Sequence, residues 1–298
     1  PKEIGERIRA SWDADELSLY GRFDFILAKD GTPKILEFNA DTPTSLLEAS
    51  VIQWQWKEDV FPECDQFNGI HEGLVQSWKD IFPKKGEIYF AGALENNEDT
   101  GTLQYLASTA MEAGFSTRVL DMQALDLQNG RFFDPAGELV NRCFKLYPWE
   151  WMVDESPDGC LAEMEWLEPI WKLVMSNKAI LATLYELFPD SPYVLPCYLS
   201  RPRSGLFCKK PVFSREGHNV SVVDIRNWEE HVRIAETEGD YNTGAYVYQE
   251  YVEPTVYSGR YPVIGSWIIG GEAAGIGIRE NRMEVTDNLS EFVPHIIG

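Results

Sequence analysis

Asp24, Glu37 and Asn39 lie in "GRFDFILAKDGTPKILEFNADTPT", residues 21–44, where two apolar-rich runs flank an Asp-Gly pair. An Asp-Gly pair between alternating runs signals a β-hairpin. With Asp30-Gly31 as a two-residue turn, Lys29 faces Thr32, and the same register sets Asp24 opposite Glu37, Arg22 opposite Asn39 and Ile26 opposite Ile35. Those six side chains share one face; Phe23, Phe25, Leu27, Leu36 and Phe38 share the other, which is expected to be the core face. Two carboxylates directly opposed destabilise a sheet, so a positive charge is expected between them. Arg22 can supply it. So can a metal ion, because two carboxylates and a carboxamide oxygen form a hard donor set suited to Mg²⁺, which completes its shell with water and phosphate oxygens. On this reading the metal-free pair costs about 0.2–1 kcal/mol, and Asp24→Asn is expected to melt no lower than the natural protein in EDTA.

A phosphate site needs cations and exposed backbone N–H groups. "KKPVFSREGHNV" offers Lys210 and a polar loop holding Gly217, and "SNKAIL" offers Lys178, which either reaches the same phosphates or is solvated. In "VYQEYV", Gln249 and Glu250 are able to read an adenine amino group or ribose hydroxyls. Arg279 in "GIGIRE" stands beside glycines, where it either clamps a phosphoryl group or forms an ion pair. His218 is the one histidine in the phosphate-loop candidate, and it reads as an ordinary loop residue.

These residues need elements to hold them. Thr42 as N-cap with Pro43 at the first helical position predicts a helix running from there through "TPTSLLEASVIQWQWKEDVF", and "EGLVQSWKDIF" predicts another, ended by Pro83. A buried strand "GEIYFAGAL", a helix "TLQYLASTAMEAG" and a strand "FSTRVLDM" then form a β-α-β unit. Its glycines do not make G-x-G-x-x-G, so a dinucleotide site is not supported. Residues 128–160 read as a linker or substrate-side lobe, and "AEMEWLEPIWKLVMSNKAILATLYELF" as helical segments. The last third reads as antiparallel strands with one helix at "WEEHVRIAETEG". The fold class is therefore mixed α/β, or α+β.

Composition narrows the partners. A net charge of −22 over 298 residues argues against nucleic acid, which requires a basic surface. The acidity either attracts a cationic small molecule such as a polyamine or metal ion, or serves solubility. No apolar run approaches the ~20 residues of a membrane-spanning helix. Five widely spaced cysteines without a C-x-x-C pair fit a reducing cytoplasm.

Taken together, "YGRFDFIL", "LEFNADTPTS", "SNKAIL", "KKPVFSREG" and "GIGIRE" resemble the synthetase part of the glutathionylspermidine synthase family and its amidase-lacking relatives, permuted ATP-grasp ligases. The resemblance implies an ATP-grasp-type fold whose metal hairpin precedes the nucleotide lysines, with a pre-ATP-grasp β-α-β lobe. It divides the chain into the hairpin part and following helices (1–82), the pre-ATP-grasp-like substrate lobe (83–160) and the nucleotide lobe (161–298). By the same resemblance, Asp24, Glu37 and Asn39 are magnesium ligands, and Arg22 and Arg279 the arginines at the transferring phosphate. Lys178 and Lys210 are the nucleotide lysines, Thr42 and Thr44 touch the thiol-peptide substrate, and Glu150 in "PWEW" forms part of the substrate wall. The implied activity is ADP-forming joining of a carboxylate, such as a glutathione-like peptide, to an amine, such as a polyamine, through an acyl phosphate. The alternatives are an ATP-binding sensor or docking module without turnover, and a ligase with unrelated substrates.

Overall fold

The computed structural model of the protein describes residues 1–215, 217–234, 237, 239, 244–283 and 290–298. The chain begins with α1 (Lys2–Asp13), β1 (Tyr20–Leu27) and β2 (Pro33–Asn39), then a π-helical turn running into α2 (Gln53–Val60), followed by α3 (Ile70–Ile81). Next come β3 (Glu87–Gly92), α4 (Asn97–Glu112), β4 (Ser116–Asp121), three short strands β5 (Asp126–Gln128), β6 (Arg131–Phe133) and β7 (Leu139–Val140), and β8 (Arg142–Leu146). After α5 (Trp149–Glu155), α6 (Pro157–Cys160), β9 (Glu165–Leu167), α7 (Lys172–Ser176) and α8 (Ile180–Leu187) the remaining elements among the described residues are strands. These strands are β10 (Cys197–Tyr198), β11 (Gly205–Pro211), β12 (Ser221–Arg226), β13 (Glu229–Ile234), β14 (Tyr246–Glu250), β15 (Tyr261–Ile269), β16 (Glu272–Asn281) and β17 (Glu291–Val293).

The first sheet has the order β17-β16-β15-β1-β2 and joins the start of the chain to its end. A second antiparallel sheet, β10-β14-β11-β12-β13, carries the lysine strand. The third, β4-β3-β8-β9, is parallel throughout, and β3-α4-β4 is the β-α-β unit expected from periodicity. Parallel sheets are buried on both faces. Here one face packs Phe90 and Phe144 with Trp78, Tyr20 and Trp267, and the other packs Tyr89 and Cys143 with Trp149, Trp166 and Ile4 of α1.

The opening hairpin differs from expectation in its turn and agrees at its polar end. Gly31 N–H donates to Ala28 O (2.8 Å) and Ala28 N–H to Thr32 O (3.0 Å), so the loop has three residues, with Gly31 at φ +81° in the left-handed region. This shifts the near-turn register by one: Ile26 pairs with Lys34, not Ile35, and Phe25 pairs with Ile35. A β-bulge then lets Leu36 stand unpaired, and the register returns to Asp24 opposite Glu37 and Arg22 opposite Asn39. The two one-residue offsets cancel.

The burial of the hairpin is inverted relative to expectation. Arg22 and Asp24 are 5% and 2% exposed, whereas Phe23, Phe25, Leu27 and Phe38 are only half-buried, with Phe23 stacked on Phe38 at 4.1 Å. The polar face is the buried one because the second sheet closes over it. Lys210 Nζ on β11 donates to Leu36 O (3.0 Å), and Gln249 Nε2 on β14 donates to Ile35 O (2.8 Å).

Three secondary-structure expectations are corrected. Thr42 and Pro43 stand outside the helix, which begins at Leu46, because Ser45 takes φ +64° and its carbonyl accepts the Ala49 N–H. Residues 165–167, read as helical, form β9, whose backbone is paired by β8. Residues 229–234, read as the start of a helix, form β13, since Asn227 and Trp228 both take positive φ and make a tight two-residue hairpin turn after β12. Positions 235, 236 and 238 of that expected helix lie outside the described residues.

Candidate active site

The functional face of the first sheet follows from strand alternation. Arg22, Asp24 and Ile26 on β1 share it with Trp267, Gly265 and Val263 on β15, and with Arg279 on β16, the partner of Val263. Gly265 stands opposite Asp24. A Cβ there would lie 2.7 Å from Arg22 Cδ, so glycine is what lets the arginine lie flat across the strand. Arg22 grips Asp24 with two bonds, Nε to Oδ1 at 2.6 Å and Nη2 to Oδ2 at 2.9 Å, over the Trp267 ring, while Nη1 donates to Thr44 O. Arg279 Nη2 reaches Asp24 Oδ2 at 2.9 Å.

Glu37 faces Asp24 and is held by Lys178 Nζ at 3.0 Å. Burial pushes its carboxyl up, but the Lys178 and Lys210 charges outweigh burial and hold it down at about 2. Asn39 Nδ2 donates to both carboxylates, at 3.2 Å to Asp24 and 3.3 Å to Glu37. The two opposed acids are thus surrounded by Arg22, Arg279 and Lys178. The destabilising repulsion expected from sequence is offset by protein cations even without metal.

The depressed Glu37 carboxyl gives a pH expectation. A group whose folded pKa lies below its ordinary value contributes stability that is complete above about 4.5 and is lost as pH falls toward about 2. Urea midpoints measured through that window should fall more steeply for the natural protein than for Glu37→Gln. Parallel slopes would mean that Glu37 is not ion-paired in the folded state.

Two cavities meet at this cluster. The first, between the two antiparallel sheets, is walled by Ile26, Leu36 and Val263 on its apolar side and by Lys178, Lys210 and Gln249 on its polar side. Glu250 and Asp24 also line it. Lys210 Nζ is fixed by Gln249 Oε1 (2.8 Å) and Leu36 O, and Lys178 Nζ by Ser214 O (2.6 Å) as well as Glu37. The second cavity opens toward the parallel sheet and is lined by Arg22, Asn39, Thr42, Thr44, Arg279 and Arg215. Glu37 and Gly217, the latter at φ +70°, line both. His218 also lines the second cavity. Glu150 lies apart, in a smaller cavity with Ser176, Ser214 and Lys178. The structure therefore gathers every residue singled out from the sequence into three adjoining cavities.

Sequence reading passed over Arg215, although it stands in the quoted "KKPVFSREG". Its Nη2 donates to Glu150 Oε1 (2.7 Å) and its Nη1 to Thr42 Oγ1. The signal that marks it is an arginine two residues before the loop glycine, Gly217. Also unforeseen is a buried charge cluster behind the site. Lys145 Nζ lies 2.7 Å from Asp41 Oδ1, both side chains being wholly buried, and Asp41 Oδ2 accepts the Trp149 N–H at 2.9 Å. Lys172 Nζ donates to Tyr20 O and Ala40 O and lies 3.5 Å from Glu168. Burial pushes both lysines down and Glu168 up, against the pull of their partners. Asp41 and Lys145 are 104 positions apart, and nothing local marks them as a pair.

The donor chemistry at the meeting point fits Mg²⁺. Two carboxylates and a carboxamide converge on the same face within hydrogen-bond reach of one another, and the amide orientation that points Nδ2 at both acids is reversible by a flip that presents Oδ1. Among the described residues no group of three or more His, Cys, Asp or Glu side chains could hold a metal ion. No helix among the described residues is long and apolar enough to cross a membrane.

Comparison with known proteins agrees with this architecture. The family profile described as "Glutathionylspermidine synthase preATP-grasp" matches residues 1–298. A Haemophilus influenzae protein provisionally named an acid–amine ligase is 39% identical over 303 residues, covering 97% of this chain and 77% of its own length. Trypanothione synthetase of Crithidia fasciculata is 28% identical over 326 residues, covering 98% of this chain; the chain spans about half, 49%, of that relative's length. Among solved structures, a protein from Methylobacillus flagellatus provisionally named γ-glutamylcysteine synthetase superposes with a TM-score of 0.62 at 9% identity, over 99% of this chain and 84% of its own. That likeness is one of fold.

Proposed function

Because the chain belongs to the glutathionylspermidine synthase family, we propose that it is an ATP-dependent ligase that joins a carboxylate to an amine through an acyl phosphate. The observation that carries this reading is the meeting of two cavities at one carboxylate cluster: Glu37 and Gly217 border both, with two lysines on one side and three arginines on the other. A nucleotide in the first cavity would have its base against Ile26, Leu36 and Val263, its base edge or ribose at Gln249 and Glu250, and its phosphates toward Lys178, Lys210 and the Gly217 loop. Asp24, Glu37 and Asn39 would hold Mg²⁺, which supplies charge neutralisation across the phosphate oxygens when bound.

The chain's own residues do the rest. Arg22 and Arg279 direct guanidinium N–H groups toward the space between the cavities, where charge on a transferring phosphoryl group would be stabilised. Thr42, Thr44 and Arg215 line the side from which the acid would approach. The acid's carboxylate oxygen attacks the γ-phosphorus, ADP leaves, and the amine nitrogen then attacks the acyl carbon and expels phosphate. No enzyme nucleophile is needed. A glutathione-like peptide and a polyamine are the substrate classes that the family name suggests, and the acidity of the chain favours a cationic amine. The reading keeps the division 1–82, 83–160 and 161–298, and places the enzyme in a reducing cytoplasm, where five free cysteines are compatible with a thiol substrate.

The test is ATP turnover over a panel of carboxylates and amines that includes glutathione and spermidine. ADP and phosphate are the expected products, because the γ-phosphoryl group is the one transferred. AMP and pyrophosphate in stoichiometric yield would refute the acyl-phosphate route, and ATP binding without turnover on any pair would favour a nucleotide-sensing module.

A further inference from the structure

We propose that Glu150 is a positioning residue that acts on the acid cleft through Arg215 and does not itself touch substrate. The inference rests on the ligase reading for its functional consequence, and on geometry for the contact.

Glu150 sits in the first turn of α5, with its neighbours Tyr147, Pro148 and Trp151 on the acid cleft while its own side chain faces the smaller cavity of about 20 Å³. One carboxylate oxygen is taken by Arg215 Nη2 at 2.7 Å. The other, Oε2, is buried without a hydrogen-bond partner among the described residues, as are the Oγ atoms of Ser176 and Ser214 beside it. Glu150 itself does not line the acid cleft. Arg215, by contrast, lines both cavities and carries the contact across.

The anchor beneath Glu150 is buried and hydrogen-bonded. The N–H of Trp149, one residue before it, is fixed by the buried Asp41–Lys145 pair. Arg215, on the other side of the contact, belongs to the loop that follows β11. That loop is tied at one end by Lys178, through Val212 O (2.8 Å) and Ser214 O, and at Arg215 by a planar fork divided between Glu150 and the Thr42 hydroxyl, with the guanidinium 5.9 Å from the Trp151 ring. A guanidinium held at two nitrogens has one orientation, and releasing one of them returns side-chain freedom. Glu150 thereby sets where the Arg215 charge faces in the cleft and keeps the loop against the α5 lobe.

Two measurements test this. Hydrogen exchange of residues 212–215 and 217–219 is expected to quicken about tenfold in Glu150→Gln, while β3 and β8 keep their protection. Unchanged loop exchange, or faster exchange throughout the chain, would overturn the proposal. In parallel, kcat/KM for glutathione with saturating Mg-ATP and spermidine is measured in a cycle of Glu150→Gln and Arg215→Ala. Glu150→Gln should lower it about tenfold, mainly through KM, in the natural background and less than about twofold once Arg215 is alanine. An undiminished effect in the Arg215→Ala background would mean that Glu150 contacts substrate directly. Absence of turnover by the natural protein refutes the ligase reading on these substrates and leaves the exchange result to decide the latch.

Discussion

Asp24→Asn is expected to reduce Mg-ATP turnover by roughly a thousandfold, since on the proposed ligase reading it removes a charged magnesium ligand. It should also melt lower than the natural protein in EDTA, the reverse of what the sequence suggests. Read as a hairpin alone, the opposed acids form a like-charge pair that an isosteric amide relieves. In the folded chain Asp24 is buried and accepts from Arg22 twice and from Arg279 once, so the amide leaves two guanidinium groups facing a neutral side chain. Breaking a buried pair from one side costs about 3 kcal/mol or more, which at this chain length lowers the melting temperature by roughly 5–10 °C. Melts of both proteins in EDTA, with turnover measured on the same preparations, separate the two effects. Near-normal turnover would remove Asp24 from the ligand set, and an unchanged melting temperature would mean that the arginines repartner at no cost.

Arg279→Ala should lower kcat by roughly 10²–10³-fold while changing ATP affinity less than about threefold, because a donor aimed at developing phosphoryl charge contributes to the transition state and little to ground-state binding. The geometry supports a change confined to chemistry. Arg279 lines the second cavity and not the first, and Asp24 has both Arg22 bonds besides the one to Arg279. Equilibrium nucleotide binding set beside single-turnover rates decides it. Equal losses in affinity and rate would make Arg279 a binding residue.

The residue types of the site and much of the element order were legible from local pattern. Period-2 alternation placed Arg22, Asp24, Glu37 and Asn39 on one face, and periodicity with turn residues marked β3-α4-β4 and the strands β11, β12, β14, β15 and β16. The pairing of Asp24 with Glu37 was legible only because two offsets cancel, a three-residue loop at Gly31 and a bulge at Leu36. The turn at Asn227-Trp228 was a local signal that helical periodicity masked.

Which face of the hairpin is buried depends on contacts with the second sheet. A strand pattern says that two faces differ, and by transfer free energy the aromatic one should go inside. The second sheet overrides this by supplying Lys210 and Gln249 to the carbonyls of Leu36 and Ile35, and the turn between α7 and α8 supplies Lys178 to Glu37, so the polar face can be removed from water with its partners in place. The same holds for Asp41 with Lys145 and for Arg215 with Glu150. Each is a contact between residues far apart in the chain, set by how sheets and helices stack, and no spacing along the sequence encodes it.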